Sequence, residues 1–197
     1  MNRYFSVSLI ILFALTGCHK TKPADTRVKR ENIDACSLIT SEEVKALQNA
    51  SVREAKANAQ SDGKFRYSQC FYSTDPFNKS VSLAVTQADS ASATARDPKE
   101  FWEQTFGRYG GEKREREGDE EEKSKSLATN EQEGRGRPPK KVEGLGDSAY
   151  WNTGRVGGSL YVLKDHVFIR ISVGGLDSDE ERLEKTKKLA AKALSRL

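Results

Sequence analysis

Apolar positions along the chain form one unbroken run near the start and several periodic patterns after it. The run, Tyr4 to Leu15, follows the single positive charge of Arg3 and falls short of the ~20 residues a membrane-spanning helix needs. From Asp34 the pattern becomes periodic. Thr40 and Glu43 form a capping box, with Ile39 and Val44 placed as a hydrophobic staple, so a helix is predicted over Ser41 to Asn49, burying Val44 and Leu47. Phe65 to Ser73 and Lys79 to Gln87 alternate as strands do, the second with Val81, Leu83 and Val85 on one face. Val52 to Ala57 is a fainter strand. Asp97-Pro98-Lys99-Glu100 supplies a cap, a proline at the first helical position and an acidic residue after it. The helix it opens carries Phe101, Trp102 and Phe106 on its apolar side and ends at Gly110-Gly111.

Residues 111–141 break the rhythm. They are rich in Glu, Lys, Arg, Gly and Ser, with too little apolar surface to fold, and read as a disordered insertion. Three strands follow: Ser148 to Asn152, Ser159 to Lys164 and Val167 to Val173, the last with Val167, Ile169, Ile171 and Val173 facing the core. A closing helix is predicted from Asp179 to Leu197, opened by a capping box of Ser178 and Glu181. Leu183, Leu189, Ala193, Leu194 and Leu197 form its buried side, and its acidic start and basic end suit the helix dipole. Helices alternating with antiparallel strands in this order predict an α+β fold. The expected form is a two-layer sandwich, its sheet covered on one face by helices and more open on the other.

Leu15-Thr16-Gly17-Cys18 closes the early apolar run and resembles a bacterial lipobox: Leu, two small residues, then Cys. Residues 1–17 are therefore expected to be a lipoprotein signal peptide, with Cys18 the lipidated first residue of the mature chain. The resemblance implies two or three acyl chains, enough for a lasting tether. His19, in place of Asp, favours sorting to the outer membrane by the rules such proteins follow in Gram-negative cells. Residues 18–33 read as a flexible polar tether, and 34–197 as one domain.

The compartment reorders the cysteines. Cys18 is committed to lipid, which leaves Cys36 and Cys70 in an oxidising setting. A disulfide between them would stabilise the fold by ~3–4 kcal/mol through chain entropy. A metal or redox pair is the weaker alternative, since no further ligands accompany them. The net charge of +4 is too small to argue for a polyanionic partner.

Asp34-Ala35-Cys36-Ser37-Leu38-Ile39-Thr40 with Glu43-Val44 resembles the opening of a group of small bacterial lipoproteins of unknown function. The likeness returns at Cys70-Phe71-Tyr72 and at Gly144 to Tyr150. It implies the fold and the bridge. It brings no catalytic residues, and the chain departs from it in its charged insertion and in lacking a Trp near the second Cys.

Other motifs carry little. Gly134 to Lys141 resembles an AT-hook, but in an exported protein it reads as a basic loop, and no nucleic-acid partner is expected. Ser61 to Lys64 has Ser-x-x-Lys spacing without its companion motifs or a helix start. Glu120-Glu121-Glu122 is ordinary solvated charge. His19 and His166 are the two histidines, so no metal or cofactor site is expected. No catalytic constellation is legible. The favoured function is a non-enzymatic envelope module binding a protein or small ligand, an inhibitor or immunity-type protein being one form. Its candidate face is Tyr150, Tyr161, Phe168 and Arg170, out of phase with the core-facing residues; they alternatively complete a second small core. The competing reading is an envelope hydrolase built on His166.

Overall fold

A computed structural model describes residues 32–110, 138–154 and 157–197. The expected signal peptide, Cys18 and the expected tether up to residue 31 lie outside the described residues. So do residues 111–137, which hold most of the charged insertion.

Two short helices open the domain, α1 (Ala35–Leu38) and α2 (Ser41–Gln48). Asp34 caps the first, and the Thr40–Glu43 capping box starts the second. Three strands follow, β1 (Ser51–Ser61), β2 (Phe65–Asp75) and β3 (Val81–Ala88), with a 3-10 turn at Phe77–Lys79. Then come α3 (Pro98–Gly110), the short β4 (Lys140–Lys141), β5 (Ser148–Gly154), β6 (Gly157–Lys164), β7 (Val167–Val173) and α4 (Asp179–Leu194). The faint strand at Val52 is thus a full element of 11 residues. Leu197, expected on the buried side of the last helix, lies beyond its end and is exposed.

The seven strands form one antiparallel sheet in the order β1-β2-β3-β7-β6-β5-β4. Two meanders, β1-β2-β3 and β5-β6-β7, meet where β3 pairs with β7, Leu83 opposite Ile171. The fold is α+β, with an open sheet. On one face α1, α2 and α4 cover Val81, Leu83, Val85, Val167, Ile169, Ile171, Val173, Leu160, Val162 and Trp151. A second, smaller core lies on the opposite face, where α3 lays Trp102 and Phe106 over Tyr150, Leu163 and Phe168. α3 reaches only one end of that face.

Cys36 of α1 and Cys70 of β2 form the expected disulfide, with their Cα atoms 5.0 Å apart. The bridge pins the opening helices to the sheet beside two buried hydrogen bonds. Ala35 N donates to Ser68 Oγ at 2.9 Å, and Tyr72 Oη donates to the Ile39 carbonyl at 2.5 Å. Burial of Tyr72 pushes its phenol up to about 12. At the far end of the chain Arg196 grips Glu43 with two guanidinium nitrogens, each at 2.8 Å, and also donates to the Leu38 carbonyl. These hydrogen bonds hold the Glu43 carboxyl well below the usual range, against the opposing effect of burial.

Candidate functional site

Strand register arranges the open face in cross-strand rows. Phe71 pairs with Ser82, Ser82 with Ser172, and Asn152 with Ser159. Ser159 and Ser172 share a hydrogen bond at 2.6 Å, which completes a line of small polar side chains across four strands, with Phe71 at its end on a fifth. The next row holds Ala84, Arg170, Tyr161 and Tyr150. Beyond it, Thr86, Phe168 and Leu163 continue toward the end that α3 covers.

α3 divides the four candidate residues. Tyr150 stacks on Phe106 with ring centroids 5.0 Å apart, and Phe168 meets Trp102 edge-on at 5.5 Å. Both are buried, so for these two the second-core alternative holds and they are not available to a partner. The physical reason is that α3 needs an apolar seat, and residues out of phase with the first core provide it. Tyr161 is half-buried at the rim, 5.3 Å from Phe106, and Arg170 is exposed beside it.

Past the edge of α3 the face sinks into an open depression of about 540 Å³. Phe71, Ser80, Ser82, Asn152, Ser159, Tyr161, Arg170 and Ser172 are among the residues lining it. That size falls within the ~300–1,000 Å³ of small-ligand sites. Arg170 supplies the charge of the lining. Its Nε donates to Ser159 Oγ at 3.3 Å, its guanidinium lies 6.0 Å from the centre of the Tyr161 ring, and among the described residues no carboxylate pairs with it.

One rim of the depression is aromatic and exposed. Phe71 contacts Phe77 at 6.0 Å, and Phe77 is 69% exposed. At the same end Gly174 donates to the Ser80 carbonyl and packs against the backbone of Asn78. Gln48 fixes this arrangement from beneath, its amide donating to the carbonyls of Lys79 and Gly174. Sequence reading missed Phe71, Phe77 and the four serines. Serines scattered over three segments carry no local signal, and the pairing of those segments in the sheet unites them.

His166 sits in the β6–β7 turn and joins Asp97 through Nδ1. The same carboxylate accepts from Lys99 N at 2.9 Å at the start of α3, so the contact docks that helix onto the turn. Among the described residues Asp97 is the one polar partner of His166, and His166 does not line the depression. Ser61 and Lys64 fall at the β1–β2 hairpin turn, where Ser61 bonds Asp89. Among the described residues no group of three or more His, Cys, Asp or Glu could hold a metal ion, and no helix is long and apolar enough to cross a membrane. No known protein family matches the chain, and no curated protein or solved structure is significantly similar to it.

Proposed function

We propose that this chain is a lipid-anchored protein of the bacterial cell envelope, held through Cys18, whose open sheet face binds a partner protein or small ligand without chemistry of its own. In a Gram-negative host it would sit on the outer membrane facing the periplasm. The lipobox-like Leu15-Thr16-Gly17-Cys18 and the lipoprotein-like domain opening support the anchor. One observation carries the binding role: an uncovered depression that gathers Arg170 and Tyr161 with a row of hydroxyls, rimmed by exposed Phe71 and Phe77. Arginine and aromatic side chains are the residues that dominate binding energy at interfaces. An inhibitor or immunity-type protein is one form this module could take. Hydrolysis is less well supported, because His166 stands outside the depression and engages Asp97 at the foot of α3.

A photo-crosslinking residue at Ser82, compared with one at Glu184 on α4, tests the face in living cells. A discrete adduct from position 82 alone, lost on Arg170→Glu, supports it; equal adducts from both positions, or none, overturn it. Labelling with a fatty-acid analogue tests the anchor: incorporation that Cys18→Ser leaves unchanged would overturn that part alone.

A further inference from the structure

Among the described residues Arg170 is the single charge in the lining of the depression, and no acidic side chain there opposes it. Exposed on β7, it commits only Nε, which donates to Ser159 Oγ. The N–H bonds of its two terminal nitrogens have no partner among the described residues. Ser159 in turn shares its hydrogen bond with Ser172. The two hydroxyls hold one proton each, and only one of these is used between them. Whichever serine donates, the pair keeps one hydroxyl proton for a ligand. Guanidinium and serines therefore offer donors side by side, and the lining holds no Asp, Glu or His to take them. Charge complementarity calls for an anionic acceptor, and the planar fork of an arginine matches a carboxylate with two parallel hydrogen bonds. One cation balances the single charge of a carboxylate and would leave a phosphate dianion half compensated.

Register sets what else the ligand must carry. Phe71 pairs with Ser82 and Ser82 with Ser172, so Phe71 lies two strands from Ser172, and Arg170 lies two residues along β7 from it. At ~4.8 Å between strands and ~3.4 Å per residue, roughly 12 Å separates the Cα atoms of Arg170 and Phe71. Hydroxyls occupy the ground between them, at Ser172 and Ser82, and the exposed ring of Phe71 ends it. Resting on the binding role proposed for this face, we infer that the depression takes a short peptide segment. Its carboxylate sits on Arg170, its main-chain amides lie over Ser172 and Ser82, and an apolar side chain about two residues before the carboxylate packs on Phe71. About three residues of extended chain cover that distance. An acyl chain has the charge and the apolar surface, but it would lie on the hydroxyls and desolvate them without return. Amide groups can hydrogen-bond them instead.

Equilibrium dialysis of the full chain in mild detergent, with detergent alone as the blank, tests this. The probe is a pool of N-acetylated tripeptides with Phe, Leu, Val or Ala first and Ala, Ser or Gly in the other places, made both as free acids and as amides. A second pool of amides ending in Asp or Glu moves the carboxylate from the chain end to a side chain. Mass spectrometry reads which peptides the protein retains. Carboxylate-bearing peptides with an apolar first residue should be retained at least roughly tenfold more tightly than their uncharged amides, as expected for hydrogen bonds to a charged group. Whether the first or the second pool dominates tells a chain terminus from an acidic side chain as the source of that carboxylate. Arg170→Gln and Phe71→Ala both change exposed positions. The first should erase the advantage of the carboxylate and leave the amides where they were. The second should erase the preference for Phe, Leu or Val over Ala and keep the advantage of the carboxylate. No retention above the blank, equal retention of charged and uncharged peptides, or an Arg170→Gln variant that weakens both alike would overturn the inference. If the peptides fail while the cross-link from position 82 still forms in cells, only the ligand class falls. Loss of that cross-link as well removes the binding role itself.

Discussion

The two halves of the sheet are built from the same three-strand meander yet stabilised in opposite ways. In β5-β6-β7, neighbouring residues enter different cores: Tyr150 goes under α3 while Trp151 goes under α4. Leu163 and Val162, and Phe168 and Ile169, repeat the split. At the end under α3 that half is therefore apolar on both faces, as fully covered strands are, while its other end carries Asn152, Ser159, Arg170 and Ser172 on the open face. In β1-β2, covering falls away strand by strand. β2 keeps Cys70 and Tyr72 against the helices while Phe71 looks outward, and β1 buries nothing completely. The difference separates two tasks. The end of the β5–β7 half under α3 carries the cohesion of the domain, whereas β1, β2 and the polar row leave backbone and side chains uncovered among the described residues.

Substitution tests that contrast, and the largest effect belongs to its buried side. Ile169→Ala removes a fully buried side chain at the centre of the sheet. It should lower stability by about 3–5 kcal/mol in urea unfolding, and a cost below 1 would mean the half is looser than its packing implies. Next is the bridge that ties β2 to α1. Replacing Cys36 and Cys70 together by Ser should cost about 3 kcal/mol, measured the same way with and without reductant on the parent. A parent indifferent to reductant would refute that attribution.

The clamp at Glu43 should be smaller and should depend on pH. Its carboxyl is depressed in the folded protein, so the contribution is complete above the ordinary glutamate value of ~4.3 and is lost as pH falls toward the depressed one. Glu43→Gln should cost about 1–2 kcal/mol at pH 7. The gap between parent and variant should narrow steadily below pH 4, and a gap constant with pH would assign the effect to something other than charge. Smallest is Ala59→Thr on β1, exposed on both faces. In dilute protein it should change stability by no more than ~0.5 kcal/mol.

The same contrast explains what could be read from the chain. β7 was legible to the residue, since Val167, Ile169, Ile171 and Val173 alternate against a covered face. β1 was read only as a faint strand at 52–57 because period-two hydrophobicity records burial, and a bare strand of Ala, Asn, Gln and charged residues has none to record. The capping boxes at Thr40 and Ser178 are local chemistry, and both are present. The seat of α3 was not legible. Trp102 and Phe106 declare an apolar side, but which face they cover depends on contacts with Tyr150 and Phe168, far along the chain. The four candidate residues therefore divide by place. Arg170 and Tyr161 border the depression, while their two companions belong to the second core.

The division into two cores also gives the molecule a pair of built-in optical reporters. Its two tryptophans fall one to each core: Trp102 beneath α3, and Trp151 beneath α4, where its Nε1 donates to Asp179 at 3.0 Å. Each indole emits from its own compartment, so a pair of single-tryptophan variants separates signals that would otherwise overlap. With Trp102 alone, emission follows the seating of α3; with Trp151 alone, it follows the main body. Events confined to one face of the sheet thus carry a colour of their own.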